Sequence, residues 1–338
     1  MMFEFAKSIS MTGAATLALL AWAPANAQGL QVVSTFSIIS DFASHVGGNR
    51  IMLTTLVPAN GDAHSYEPKP TDAIAVGKAD LVLANGLHFE GFLDRLIQAT
   101  SAKAPVIVLT QGVELLRNTE DEHDNHPEDA HDDHDDHHNQ ARQQVDSHEH
   151  DHAEEHADHH HGTYDPHAWQ SVRNAQIYVS NIATAFCAAD ASGCPTYQAN
   201  AKAYDQKLQA LDTELKAAVA QIPADQRTII TSHDAFGYLA HEYGLQFLAP
   251  QGINTGSEAS AAGVASLIQQ IKARKASAIF VENVSNPRLI QQIASETGVN
   301  IGGKLYSDAL SAADGPASTY IDMMRHNVNS IRDAVLKR

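Results

Sequence analysis

One uninterrupted stretch, "TYQANAKAYDQKLQALDTELKAAVAQI" at 196–222, divides the chain and limits how everything else can be arranged. It contains no Gly or Pro and is rich in Ala, Leu, Lys and Gln. Tyr204, Leu208, Leu211 and Leu215 fall at i, i+4, i+7 and i+11, the spacing of a single buried stripe on an α-helix. Ended by Pro223, such a helix would run roughly 40 Å at 1.5 Å per residue. A rod of that length restricts hinge motion between whatever flanks it.

Short apolar runs flank it, four on each side. Before it come "LQVVSTF" (from Leu30), "IMLTTLVP" (from Ile51), "DLVLANG" (from Asp80) and "PVIVLT" (from Pro105). After it come "RTIITSH" (from Arg227), "LQFLAP" (from Leu245), "ASAIFVEN" (from Ala276) and "VNIGGKLYSD" (from Val299). β-Branched runs separated by helix-length segments predict βα units with parallel sheets covered on both faces. The expected fold is therefore α/β: a first lobe over 28–195, a linking helix over 196–223 and a second lobe over 224–338.

Two segments stand outside this plan. The first, 1–27, reads as a secretory signal: Lys7 in a weakly basic start, an apolar run from Met11 to Trp22, then "ANA" ending at Ala27. The apolar run is too short to span a bilayer, which favours a cleaved signal over a retained anchor. Cleavage would leave Gln28 first, with no cysteine nearby to lipidate, and a soluble periplasmic protein is expected. The second is a histidine- and acid-rich tract inside the first lobe, over 119–162. Thirteen of the twenty histidines lie between His123 and His161, and residues 120–158 carry −15 of the chain's net −18. The remainder, at −3, gives no electrostatic reason to expect nucleic acid or an anionic membrane as partner. With so little apolar content the tract is expected to be disordered without metal. Cys187 and Cys194, an isolated close pair not spaced C-x-x-C, point to a disulfide in an oxidising compartment.

Seven histidines remain for a defined site. His64 in "GDAHSYEP" follows the second apolar run, His233 in "TSHDAFGY" ends the fifth, and His167 in "YDPHAW" follows the tract. Asp308 in "LYSDAL" ends the last run. Alone, each reads as an ordinary surface or capping side chain. Together, two from each lobe at strand ends, they can converge where open α/β sheets bind ligands. Three imidazoles and one carboxylate suit a tetrahedral Zn²⁺ site better than the oxygen-rich sites of Mn²⁺, Mg²⁺ or Ca²⁺.

These segments also carry a resemblance. "LVPANGDAHSYEPKPTD", "YDPHAW", "TSHDAFGYLAHEYGL" and "LYSDALS" resemble, in order, the four ligand segments of the metal-binding proteins of zinc and manganese ABC importers, of the ZnuA and AztC type. The resemblance covers essentially the whole chain after the signal. It implies two (β/α)₄ lobes joined by a backbone helix, with metal in the cleft between them, held by His64, His167, His233 and Asp308. It also implies a His-rich loop just before the second ligand, where the tract lies, and Glu rather than His at the third position in the common manganese pattern. Ala63 departs from the family's Pro before the first ligand. His88, where the family has a small residue, is either a transient metal acceptor at the cleft edge or a surface side chain. Glu67 is a candidate to orient His64.

The expectation is a monomeric, non-enzymatic periplasmic protein that captures one tight Zn²⁺ and delivers it to an inner-membrane ABC permease, with a zinc metallochaperone as a candidate partner. Additional weak ions are expected on the tract, at His131, His134, His137, His138, His159, His160 and His161. The alternatives are a manganese importer component, a periplasmic zinc buffer or chaperone in which the tract is the function, and a zinc hydrolase. Four protein ligands, which close the coordination sphere, stand against the last.

Overall fold

All eight apolar runs form strands. The structure, a computed structural model, describes residues 29–100, 102–118 and 162–337. The signal segment and most of the tract, including its expected weak metal sites, lie outside the described residues. In the first lobe β1 (Leu30–Phe36), β2 (Ile51–Val57), β3 (Leu81–Ala84) and β4 (Val106–Val108) make one parallel sheet, in the order β2-β1-β3-β4. In the second, β5 (Thr228–Ile230), β6 (Gln246–Leu248), β7 (Ala278–Glu282) and β8 (Ile301–Leu305) repeat it as β6-β5-β7-β8. The inner strands β1, β3, β5 and β7 are buried almost throughout, whereas the edge strands β2, β4 and β8 leave side chains such as Met52, Val106 and Ile301 in solvent. This is the burial expected of a parallel sheet with helices on both faces. Gly302 lets β8 pack tightly: a Cβ there would meet Phe280 and Ala334 at 2.7 Å.

Helices α1 (Ser37–Gly47), α2 (Pro70–Lys78), α3 (Leu93–Thr100) and α4 (Val172–Ala189) accompany the first sheet. The linking helix is α5 (Cys194–Val219), and Tyr204, Leu208, Leu211 and Leu215 all turn into the core. It starts earlier than the sequence suggests, because Pro195 in its first turn has no N–H to lose. It also stops earlier, since Pro223 disfavours helical backbone at the residue before it and the chain leaves through a turn at 220–222. Cys187 near the end of α4 is bonded to Cys194 at the start of α5. The second lobe adds α6 (Gly237–Tyr243), α7 (Ala261–Arg274), α8 (Arg288–Thr297) and α9 (Tyr320–Leu336).

One hydrophobic core joins the lobes. It runs from Phe36 and Phe42 through Trp169 and Leu211 to Phe280, Leu305 and Met323. A smaller cluster around Ile271, Ile279 and Ile293 backs the second sheet. The last helix, α9, packs on β7 and β8 but also on α1 and α5, so it belongs to both lobes. No helix among the described residues is long and apolar enough to cross a membrane.

Candidate metal centre

Both sheets direct the carboxyl ends of their strands toward one cleft, and the four candidate ligands arrive there on loops. His64 lies in the loop from β2 to α2. That loop is stiffened by Pro58, Pro68 and Pro70 and turned by a Gly61 N–H to Pro58 carbonyl bond of 3.0 Å. His167 lies in the link entering α4, His233 follows β5, and Asp308 follows β8. One donor atom from each falls within 4.8 Å of the others. His64 Nε2 is 3.3 Å from His167 Nε2 and 3.5 Å from Asp308 Oδ2. His167 Nε2 is 3.6 Å from Asp308 Oδ1, and His233 Nε2 is 3.1 Å from Asp308 Oδ2. Metal–ligand bonds of about 2.0–2.1 Å in a tetrahedron put neighbouring donors about 3.3 Å apart. The four shorter distances, 3.1–3.6 Å, match that figure, and the whole set is compact enough to surround one small cation.

The electrostatics point the same way. The four side chains are at most 2 % exposed. Asp308 Oδ1 accepts no hydrogen bond among the described residues, an arrangement that costs free energy unless a cation answers it. Burial pulls the His64 imidazole down to about 3 despite the opposing pull of Asp308, so the ring is neutral and ready to coordinate. Burial also acts to lower His233, but Glu282 and Asp308 outweigh it and hold that ring well above its ordinary value. Asp308 is held below the usual carboxylate range: burial opposes this, and the three imidazoles, His233 foremost, overcome it.

Two carboxylates that the sequence reading missed hold candidate ligand rings in place. Asp165 Oδ1 accepts the His167 backbone N–H at 2.9 Å and lies 2.7 Å from its Nδ1. Glu282, at the end of β7, accepts the backbone N–H groups of Ser232 and His233 at 2.6 and 3.0 Å and meets His233 Nδ1 at 2.6 Å. Asp165 thereby fixes the proton of His167 on Nδ1 and leaves its Nε2 facing the centre, while Glu282 lies in ionic contact with the His233 ring, whose Nε2 faces Asp308. Glu282→Gln is expected to weaken metal binding about tenfold with the fold kept, because outer partners of metal-bound imidazoles contribute on that scale. Equilibrium competition against a chelator measures it.

The other candidates fall elsewhere. Glu67 is exposed and makes no hydrogen bond to His64 among the described residues, which corrects its assignment as the residue that orients that ring. The loop turns Glu67 outward, and Asp62 contacts His64 instead, accepting its backbone N–H at 2.9 Å. Ala63 is fully buried. His88 is exposed and stands apart from the four-residue cluster, lining a cavity of about 390 Å³ at the cleft mouth with His64, Tyr164 and Asn254. Its backbone is left-handed at φ 61°, after Leu87 at 55°. Buried Glu90 braces that strained turn by accepting N–H groups from Asn85 and Gly86, and so presses Phe89 against His64 at 4.7 Å. His45 stacks on Tyr204, and His326 bonds the Lys304 carbonyl. Residues 148–152 of the tract, "HEHDH", match the H-E-x-x-H spacing of zinc hydrolases, but they lie outside the described residues, and a stretch so dense in His and Glu produces that spacing by composition.

Comparison with known proteins follows the same line. The sequence model of the family described as "Zinc-uptake complex component A periplasmic" matches residues 32–334. The chain is 30 % identical over 305 residues to the iron-binding protein YfeA of Yersinia pestis, covering 90 % of this chain and 86 % of that one. It is 31 % identical over 303 residues to the manganese-binding lipoprotein MntA of Halalkalibacterium halodurans, covering 90 % and 87 %. Among solved structures it is similar to the periplasmic zinc-binding protein TroA of Treponema pallidum, with a TM-score of 0.74, 25 % identity, and coverage of 91 % of this chain and 99 % of that one. Those names carry three different metals, and none describes an enzyme. With a matched region spanning nearly all the described residues and a buried His₃Asp cluster at the cleft, the chain belongs to the ZnuA family of metal-binding, substrate-binding proteins of ABC importers.

Proposed function

We propose that this protein captures Zn²⁺ in the periplasm, on His64, His167, His233 and Asp308, and delivers it to the permease of an ABC importer. The observation that carries the reading is the donor set: three imidazole nitrogens and one carboxylate, buried, with donor atoms all within 4.8 Å of one another and the shorter nitrogen–nitrogen and nitrogen–oxygen distances at 3.1–3.6 Å. Zn²⁺ accepts that set in a closed tetrahedron, whereas Mn²⁺ favours more oxygen donors. A third-position His233, in place of the Glu of the manganese pattern, supports the same choice. The similarity to MntA favours manganese as the second reading.

Simple competition between the two metals cannot decide, because Zn²⁺ outbids Mn²⁺ at almost any nitrogen-containing site. The test is a titration with each metal alone, with X-ray absorption to count ligands. Tight one-to-one Zn²⁺ binding in a four-coordinate N/O environment, with feeble Mn²⁺ binding, supports zinc. Tight Mn²⁺ binding in an expanded coordination sphere gives the site to manganese.

The tract attends this site in the proposed scheme. Its thirteen histidines lie among acids on an apolar-poor stretch, a composition that favours weak over tight coordination. Several weak, fast-exchanging ions are expected there beside one tight ion in the cleft. Deleting 120–161 is expected to slow zinc loading at scarce metal and leave the cleft affinity unchanged, as stopped-flow loading beside equilibrium competition would show. Loss of the tight ion on deletion would make the tract itself the site, as in a zinc buffer. A periplasmic metallochaperone that loads the protein, which itself acts as a monomer, completes the proposal.

A further inference from the structure

The motif D-x-H occurs twice at the centre, as Asp62-Ala63-His64 and Asp165-Pro166-His167. In both copies the Asp Oδ1 accepts the backbone N–H of the histidine two residues on, at 2.9 Å. There the likeness ends. Asp165 also uses that oxygen on the His167 ring. Asp62 turns its second oxygen outward instead, accepting the Ser65 hydroxyl at 2.8 Å and, across the cleft, the Thr255 hydroxyl at 2.7 Å.

Thr255 sits in the irregular segment 249–260 between β6 and α7. That segment is tied at its base to the third candidate ligand, through the bridge pairing His233 with Gln251. Near its tip, Asn254, Gly256 and Ser257 line the cavity at the cleft mouth, and His64 is the one candidate ligand that reaches the same cavity. The open side of the centre therefore lies between His64 and this segment. The far side of the His64 loop is anchored separately, by the Asn60 N–H to Leu310 carbonyl bond at 2.9 Å. At the mouth, the Asp62–Thr255 bond spans the gap.

We infer that Asp62 is a positioning residue that latches the 249–260 segment over His64, and that the Asp62–Thr255 bond sets how fast the bound ion leaves. The inference rests on the four-ligand reading above. An ion departing toward the cavity must part His64 from the segment, and the latch resists that movement without supplying a donor to the metal. Thr255 is the side chain to change, because it touches no candidate ligand and its loss leaves the Asp62 bond to the His64 backbone intact.

The experiment loads full-length protein with Zn²⁺ and mixes it rapidly with excess chelator. Thr255→Val is expected to release the tight, slowly exchanging ion about tenfold faster than wild type, with one tight ion per chain still bound, the scale of losing a hydrogen bond to a charged acceptor. Thr255→Ser, which keeps the hydroxyl, should restore slow release. Ser65→Ala removes a hydroxyl from the same oxygen without crossing the cleft and should leave the rate within about twofold of wild type, the reach of a weak exposed hydrogen bond. Asp62→Ala combined with Thr255→Val should release no faster than Asp62→Ala alone. A Thr255→Val protein that binds one tight ion and releases that ion at the wild-type rate overturns the latch, and so do additive effects in the double variant. Wild-type protein that binds no ion in the cleft overturns the ligand reading itself, and the latch with it.

Discussion

Replacing His233 with alanine is expected to lower zinc affinity by roughly a thousandfold, well beyond the 10–100-fold that loss of an outer partner costs. This candidate ligand lies closest to two buried carboxylates at once, Glu282 at 2.6 Å from Nδ1 and Asp308 at 3.1 Å from Nε2. Removing it takes away a metal bond and leaves both carboxylates facing each other in a dry site. The metal-free variant should therefore lose about 3–5 kcal/mol of stability as well, the usual cost of breaking a buried charge pair. Asp308→Ala is expected to be milder for metal, because three imidazoles with a water in the fourth place remain an ordinary zinc environment. Chelator competition and denaturant midpoints for the two variants check this order. A folded His233→Ala protein with wild-type affinity would remove His233 from the ligand set.

Acid is the second strong lever. In the metal-free protein His233 holds a proton at neutral pH, because Glu282 and Asp308 raise it well above its ordinary value, while His64, near 3, holds none. Coordination through His233 Nε2 needs the neutral ring, so binding releases about one proton. Affinity should then fall on acidification, by at most about tenfold per pH unit for one released proton. His64 adds nothing to this slope until near pH 3. Calorimetric titrations in two buffers of different ionisation enthalpy count the proton, and a count of zero removes the premise. Stability of the metal-free fold moves the other way. A raised His233 contributes stability that is fully present below its unfolded value, near 6.5, and is lost as pH rises through its folded value. The depressed Asp308 contributes stability present above the ordinary carboxylate range and lost in stronger acid.

The strands were legible because each is a short apolar run with β-branched residues, bounded by turn-forming residues, and burial on both faces demands that pattern. The ends of α5 were less so, since Pro195 and Pro223 act on the backbone in opposite senses at its two termini. His64, His233 and Asp308 could be read as candidates because they follow strands, where a parallel sheet exposes chemistry, whereas His167, in the link entering α4, stood out through its resemblance to a ligand segment. Asp165 could have been found from the D-x-H spacing, which lets a carboxylate cap the N–H two residues on. Glu282 carries no such signal, because only the fold brings the end of β7 against the residue after β5. Glu67 shows the opposite failure: three residues from His64 in sequence, it faces solvent because the proline-bounded loop reverses between them.

The placement of α9 has a consequence for how the chain matures. Tyr320, at its start, gives its N–H to Asp41 of α1 at 3.0 Å and its hydroxyl to the Trp169 carbonyl at 2.7 Å. Trp169 and Gln170 in turn donate to the Ser307 carbonyl at 2.9 Å each. Phe42 of α1 lies 4.7 Å from the Tyr320 ring. The interior of the amino-terminal half is thus lined by side chains from the final helix, and an emerging chain cannot seal that interior until its last residues appear. A nascent chain halted before residue 320 would expose the Phe42 and Trp169 faces to solvent and to proteases, however complete its first sheet. The lobe synthesised first is the last to be closed.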